Sequence, residues 1–228
     1  MLNTFSILFS PRETYMRINS KPNWLGTFLI LAILSIVMYA LMHPFLVRAA
    51  LAHLPSSAAP ADKEVVAQTL RSELPVRCAF LPIRLLIGWS TFAFVLFAIC
   101  KAFTPSEPVH FIKIFSLEVH AELINIVAQA ATLINLFIMK DASPNATTLV
   151  PFSAAAFVGS KDIVTFSLLN SLNFFTLLYI AILTIGISIQ SGFSRVKSLV
   201  IVLLTWSAYL LFNVGTIKLM RDTMHLLI

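Results

Sequence analysis

Residues 24–47 read WLGTFLILAILSIVMYALMHPFLV, an apolar run without a single Asp, Glu, Lys or Arg. A helix that crosses a bilayer needs about 20 predominantly apolar residues, so this run is long enough to span. Pro44 is expected to kink or end the helix, because proline removes a backbone hydrogen bond. Comparable runs follow at residues 80–103, 117–139, 164–189 and 199–219. The sequence therefore predicts five membrane spans.

The composition of the whole chain agrees with a lipid environment. Of its 228 residues, 58% are hydrophobic and only 11% are charged, whereas a soluble domain is about 25% charged. The mean hydropathy is +0.89. We predict an all-α polytopic membrane protein, a bundle of about five transmembrane helices with short amphipathic interfacial helices.

The net charge of +6 does not indicate a nucleic-acid partner. The basic residues occur singly, mostly between apolar runs, as is typical of residues that flank membrane spans. They divide almost evenly between the two sides of a five-span layout, so charge alone does not decide the orientation. The partners that we expect are the lipid bilayer and either other membrane proteins or further copies of the chain.

The regions outside the spans are short. Residues 1–23 are predicted to form an amphipathic N-terminal segment, and residues 24–228 a single five-span membrane domain. The connection at residues 48–79 is expected to hold a short surface helix, because apolar residues recur there at four-residue spacing. Residues 149–158 are apolar but too short to cross as a helix. We interpret them as interfacial or re-entrant, with a six-crossing layout as the alternative.

The first span and its approach resemble a known family. Residues 9–34, FSPRETYMRINSKPNWLGTFLILAIL, resemble the opening of bacterial members of the Ypt-interacting-protein (Yip) family. Those proteins begin with a proline-containing amphipathic stretch and place a proline just before the first span. Pro11 and Pro22 match these two positions.

Two further stretches extend the resemblance. Residues 111–137, FIKIFSLEVHAELINIVAQAATLINLF, look like the third span of the family. Residues 173–215 are similar to its last helical hairpin, with Gly186 in the fourth span and a short turn that ends in the basic residue Lys197. The resemblance implies a five-span protein with a cytoplasmic N-terminus, located in a bacterial cytoplasmic (inner) membrane. Eukaryotic relatives act in Golgi and endoplasmic-reticulum trafficking and bind small GTPases.

The third span carries polar residues that need an explanation. At about 100° per residue, five of them fall within one stripe about 100° wide, namely Glu118, Glu122, Asn125, Gln129 and Thr132. His120 points nearly the opposite way, and Val127 and Leu133 are expected to be more lipid-exposed than the stripe. The fourth span has a polar face that includes Asn170 and Asn173. We expect the two faces to meet in a polar seam, because buried amide groups need hydrogen-bond partners.

The carboxylates of this stripe should lie at the cytoplasmic interface, in the first two turns of the span. The basic residues expected at the same membrane face are Lys101, Arg195 and Lys197, and we predict that they pair with Glu118 or Glu122. Arg84 starts the second span and therefore lies at the opposite face. The tryptophans and tyrosines are expected to face the bilayer or its interface.

Two functions remain open on these patterns. One is a non-enzymatic scaffold or adaptor of Yip type that binds other membrane proteins or lipids. The alternative is a small transporter or lipid-translocating protein that uses the polar seam, since intramembrane carboxylates often mark such routes. A water-accessible cavity at Glu122 and Gln129 would favour transport, and a dry seam would favour the scaffold.

Catalysis is not expected. The sequence His120-Ala-Glu122 matches H-x-E, but the P-C-x-x-C of zinc deaminases is absent. The sequence also lacks H-E-x-x-H and G-x-S-x-G. We therefore expect no catalytic residue, no metal site and no cofactor.

Overall fold

The computed structural model describes residues 2–52, 54, 59–103, 109–139, 149–158 and 162–225. Within these ranges the chain is almost entirely helical and has no β-strand, which confirms the all-α prediction. The helices are α1 (Leu2–Ser6), α2 (Pro11–Ser20), α3 (Leu25–Ala52), α4 (Pro60–Phe103), α5 (Phe111–Ala121), α6 (Leu123–Met139), α7 (Ala155–Val158), α8 (Ile163–Ser171), α9 (Phe174–Ser191) and α10 (Arg195–His225).

Five of the described helical stretches are long and apolar enough to cross a membrane. They are α3, α4, the joined helices α5 and α6, α9 and the first part of α10. Large apolar side chains such as Ile33, Ile87, Leu177 and Phe212 are exposed on their outer faces. This is the surface expected of helices that lipid surrounds. The chain is a multi-pass membrane protein.

The second span is part of a much longer helix than the hydropathy predicted. Helix α4 starts at Pro60 and runs for 44 residues with Pro75 and Pro82 inside it. At about 1.5 Å per residue it is about 66 Å long, roughly twice the thickness of a hydrocarbon core. The surface helix predicted in the connection is thus the first part of α4. It packs on α3, where His43 Nε2 lies 3.1 Å from the carbonyl oxygen of Leu70.

The third span begins one and a half turns earlier than predicted. Helix α5 starts at Phe111 and joins α6 through a single turn residue, Glu122. The early start is stabilised by aromatic packing, because Phe111 contacts Phe97 edge-on and stacks on Phe115. Glu122 therefore lies about 16 Å from the start of the helix, twice as deep as expected from the sequence.

The fourth span is broken where one continuous helix was predicted. Helices α8 and α9 are separated by Leu172 and Asn173. Asn173 caps α9, because its side-chain oxygen accepts a 2.9 Å hydrogen bond from the backbone N–H of Thr176. Residues 149–158 pack at the break, where the N–H of Ala154 donates to the carbonyl of Leu172. Only four residues of this segment are helical, so it does not cross the membrane as a helix.

The N-terminal segment docks on the bundle. Helix α2 packs against α5 and α9 and buries Tyr15 and Ile18, while Arg12 and Arg17 remain exposed. A Cβ atom at Gly186 would lie only 3.0–3.2 Å from the Tyr15 ring, so the glycine provides the space for this ring. Burial raises the pKa of the Tyr15 phenol well above its usual value. The phenol therefore stays protonated and can donate to the carbonyl of Leu117 at 3.4 Å.

Candidate functional site

A cavity of about 290 Å³ lies inside the helical bundle, between α4, α5, α6, α9 and α10. We call it the acidic cavity. Its polar wall comprises Glu118, Glu122, Asn125 and Gln129. These four residues belong to the stripe predicted from the sequence, so the stripe faces the interior of the bundle. Exposure of these polar side chains to lipid would cost free energy, and their position on the cavity wall keeps them away from lipid.

Glu118 is the most buried of these carboxylates, at 1% exposed. Its Oε1 atom accepts a 2.7 Å hydrogen bond from the phenol of Tyr179 on α9. Its Oε2 atom is also buried and has no hydrogen bond to an N–H or alcohol group of the described residues, while the neighbouring carboxyl of Glu122 can hydrogen-bond to Glu118 only when one of the two holds a proton. An acceptor left without a donor in a buried place costs free energy. Glu118 thus has one oxygen held by the protein and one that a bound group can use.

Glu122 lies one helical turn further into the bundle. Its Oε2 atom accepts a 3.1 Å hydrogen bond from the side-chain amide of Asn125. Both glutamates line the acidic cavity, and two ionised carboxylates cannot donate hydrogen bonds to one another. Two ionised carboxylates on the wall of one buried cavity would repel one another, so a cation or a proton must offset their charge there.

The basic residues that were predicted to pair with Glu118 or Glu122 do not offset the charge of these carboxylates. Within the part of the chain that the structure describes, no ion pair reaches either glutamate, and the one salt bridge found joins Arg77 to Glu73 on the exposed part of α4. The ammonium group of Lys197 lies instead 4.1 Å from the Phe193 ring centroid and donates to the carbonyl of Phe103. Arg84, near the middle of α4, is exposed.

The pairing failed because the third span starts early. Lys101 and Arg195 are exposed near the ends of their helices. The start of α5 at Phe111 places both carboxylates more than one turn deeper than the sequence indicated. The glutamates are therefore inside the bundle, and the cations remain at its surface.

A second cavity of about 270 Å³ adjoins the first, and Asn125, Gln129 and Thr176 line both. It extends along the bundle to Thr132 and Asn173. Polar side chains of the third and fourth spans therefore line two adjoining cavities. Asn170 is not among the lining residues; its side-chain oxygen accepts from the backbone N–H of Val150 and holds the segment at residues 149–158.

One detail of the predicted lipid face is wrong. Val127 is exposed, as expected for a residue opposite the stripe, but Leu133 is buried. Leu133 packs with Phe45 and Leu136 in a small apolar cluster between α3 and α6. The polar stripe alone does not show that α3 covers the neighbouring face of α6.

His120 takes part in a separate hydrogen-bond chain on the other side of α5. Its Nδ1 atom lies 2.7 Å from the carbonyl of Ser116, and its Nε2 atom lies 2.9 Å from the hydroxyl of Thr27 on α3. Thr27 in turn contacts the hydroxyl of Thr4 at 3.1 Å. Since a carbonyl only accepts, Nδ1 carries the proton. The chain links α1, α3 and α5.

Aromatic side chains form the remaining wall of the acidic cavity, and no pattern in the sequence predicted them. They come from α4, α9 and α10 and comprise Trp89, Phe92, Tyr179, Trp206 and Tyr209. Trp89 and Tyr179 are buried, so the expectation that such residues face the bilayer is wrong for these two. A tyrosine in the middle of a span was the available signal, because its hydroxyl needs a partner when buried.

The site is a pocket lined by two carboxyl groups and by aromatic side chains. Nowhere in the described ranges do three or more His, Cys, Asp or Glu side chains cluster closely enough to hold a metal ion. Comparisons of the chain with family models, curated proteins and solved structures find no match. What the site does must therefore be argued from its geometry.

Proposed function

We propose that this membrane protein is a transporter that holds a small cationic group, of a solute or of a lipid, in the acidic cavity. The observation that carries the proposal is Glu118, a fully buried carboxylate that lines a cavity next to a second carboxylate, Glu122, with no basic side chain of the described residues paired to either. An ionisable residue at membrane depth is costly and is usually retained for function. The proposed role is electrostatic, with no catalytic step.

The charge balance supports a cationic ligand. Two carboxylates line one cavity, and in the described ranges no basic side chain pairs with either. Burial of an unpaired charge is strongly unfavourable, so a positive charge at this place would bind favourably. That charge is supplied by the transported group, or by a proton when the group is absent.

The second cavity supports movement along the bundle. It continues the polar lining from Asn125 and Gln129 towards Thr132 and Asn173, away from the docked helix α2. At the other end, Tyr15 of α2 packs on α9 and bonds to α5, which closes the bundle beside Glu118. A site closed at one end and continued at the other fits one conformation of a carrier that opens to each side in turn.

The family and the membrane remain predictions. The Yip-type resemblance and the bacterial cytoplasmic membrane are part of this proposal, as is the cytoplasmic N-terminus. The scaffold or adaptor function is the outcome to expect if the cavity proves inaccessible to water and to ions.

The test is a current measurement on the full chain in liposomes adsorbed to a solid-supported membrane. The cations added are K⁺, Na⁺, methylammonium, guanidinium and tetramethylammonium, each as its chloride. We expect at least one of them to give a current that Glu118→Gln abolishes and Glu122→Gln reduces. Glu73→Gln is the matched control, because Glu73 lies on the exposed part of α4 and pairs with Arg77.

Two results would contradict the proposal. One is that no cation gives a current above that of protein-free liposomes. The other is a current that Glu118→Gln leaves unchanged while the variant elutes as a folded protein in size-exclusion chromatography.

A further inference from the structure

We infer that the group held in the acidic cavity is an organic ammonium, most favourably one that carries methyl groups. This inference rests on the proposed function and names its ligand class. The observation behind it is the composition of the cavity wall, where five aromatic side chains and two carboxylates line the same space.

The aromatic side chains form one packed set. The Phe92 ring contacts Tyr179 edge-on, with ring centroids 6.0 Å apart, and contacts Tyr209 in the same way at 5.5 Å. Trp89 and Trp206 line the same cavity from α4 and α10. Ring packing of this kind fixes where the aromatic faces lie. The cavity therefore has a rigid aromatic wall, contributed by three helices.

The chemistry of this wall selects among cations. Aromatic faces attract a cation through their quadrupole, and groups of aromatic residues are the usual binding sites for quaternary ammonium ions. Such an ion has no N–H group and needs no hydrogen-bond acceptor beyond the charge balance that Glu118 and Glu122 provide. A hard metal cation instead requires about six or more oxygen ligands. The wall carries only two carboxylates, and nowhere in the described ranges do three or more His, Cys, Asp or Glu side chains cluster to hold a metal ion, so the aromatic half of the cavity favours an organic cation.

The size of the cavity fits a small ligand. Pockets for drug-sized molecules occupy about 300–1,000 Å³, and the acidic cavity has a volume of about 290 Å³. Part of this space exists because residue 88 is a glycine. A Cβ atom there would lie 4.0 Å from the Tyr209 hydroxyl without a clash, whereas a longer side chain would extend into the cavity.

The methylated ammonium can belong to a free solute or to a lipid headgroup. Trp206 and Thr176 line both the acidic cavity and a neighbouring groove of about 450 Å³ between α9 and α10, whose walls include Leu177 and Leu203. An acyl chain could lie in that groove with its headgroup in the acidic cavity. The ligand chemistry is the same for both sources, and the experiment distinguishes them.

The test is a calorimetric titration of the full chain in phosphatidylglycerol nanodiscs with choline chloride, tetramethylammonium chloride, KCl and MgCl₂ at equal ionic strength. We expect both ammonium salts to bind saturably and the metal salts not to compete. Tyr209→Leu and Trp206→Leu should each weaken choline binding about threefold to thirtyfold, the range of one cation–π contact. Gly88→Leu should abolish binding, while Gly215→Leu, which adds a side chain in open space on α10, should not change it.

A second titration, in nanodiscs that contain phosphatidylcholine, shows whether the ammonium group belongs to a lipid headgroup or to a free solute. If the lipid headgroup occupies the site, the apparent affinity for free choline falls in these nanodiscs; if a free solute is the ligand, the affinity is unchanged. Either result supports the ligand class.

Other outcomes separate the two proposals. One such outcome is that K⁺ or Mg²⁺ binds in a way that depends on Glu118 while neither ammonium salt binds. That result would contradict an organic ammonium as the ligand but would agree with the proposed transporter. Choline binding that Tyr209→Leu and Trp206→Leu leave unchanged would overturn the aromatic site. Failure of every cation to bind would contradict both proposals.

Discussion

The phenol of Tyr179 donates a 2.7 Å hydrogen bond to the Oε1 atom of Glu118, a residue 61 positions earlier in the chain. Both side chains are buried, and both line the acidic cavity. The bond connects α9 to α5 and fixes the orientation of the carboxylate, so that its other oxygen is left for a ligand. The stability of the bundle and the chemistry of the cavity therefore depend on the same pair of residues.

Tyr179→Phe should lower the stability of the protein by about 1–3 kcal/mol, the cost of leaving a buried acceptor without its donor. Glu118 would then have no donor on either oxygen among the described residues. Thermal unfolding of the purified protein in detergent measures the change. The matched control is Tyr209→Phe, because no hydrogen bond of the Tyr209 hydroxyl is found in the described part of the chain. Equal melting temperatures for the two variants would show that the bond contributes nothing.

Thr27→Val should destabilise the protein by about 0.6–2 kcal/mol, the range measured for polar contacts between membrane helices. The substitution keeps the shape of the side chain but removes the hydroxyl that contacts both His120 and Thr4. The control is Thr205→Val. Thr205 is equally buried, but its hydroxyl donates only to the carbonyl of Ile201 in its own helix. We expect Thr27→Val to melt at a lower temperature than Thr205→Val, and equal melting temperatures would contradict this prediction.

Gly186→Ala should destabilise the docking of α2, since the new Cβ atom would lie 3.0–3.2 Å from the Tyr15 ring. Gly215→Ala, in open space on α10, should instead gain about 0.5–1 kcal/mol from the higher helix propensity of alanine. Chemical denaturation of both variants measures the difference. In a protein that also carries Tyr15→Ala, Gly186→Ala should no longer lower the stability, as a double-mutant cycle would show. If Gly186→Ala still destabilises the Tyr15→Ala variant, a contact other than the one with the Tyr15 ring is responsible.

The five-span layout predicts that residues 63 and 195 lie on opposite sides of the membrane. Lys63→Cys lies in the first part of α4 and Arg195→Cys at the start of α10, and the chain crosses the membrane three times between them. In oriented vesicles, a membrane-impermeant maleimide should label only one of the two cysteines from outside. Equal labelling of both would contradict the layout.

The number and type of spans were predictable because lipid imposes a simple requirement. Every backbone polar group must be bonded internally, so long apolar runs become helices. The ends of the helices were harder to place. Hydropathy cannot show that the polar helix after Pro60 continues into the span, or that Phe97 packs on Phe111 and extends the third span. The break at Asn173 had a local signal, an asparagine three residues before a threonine, but the apolar run around it concealed the cap.

The polar half of the site was predictable and the aromatic half was not. Helical periodicity alone placed Glu118, Glu122, Asn125 and Gln129 on one face, and the structure places all four on the cavity wall. The aromatic residues come from helices far apart in the sequence, so only tertiary packing brings Trp89 and Tyr209 to the same cavity. The predicted cation partners failed for a related reason, because a shift of one helix start moved both carboxylates away from the surface.

The most direct test of the proposed function is the water accessibility of residue 129. In a chain without its native thiols (Cys78→Ser, Cys100→Ala), Gln129→Cys and Val127→Cys are each treated with a small hydrophilic methanethiosulfonate, which reacts with the thiolate formed in contact with water. Gln129 lines both cavities, whereas Val127 is on the exposed apolar face of α6. We expect rapid modification at residue 129 and slow modification at residue 127. Equally slow modification at both positions would mean a dry seam and would contradict a transport function.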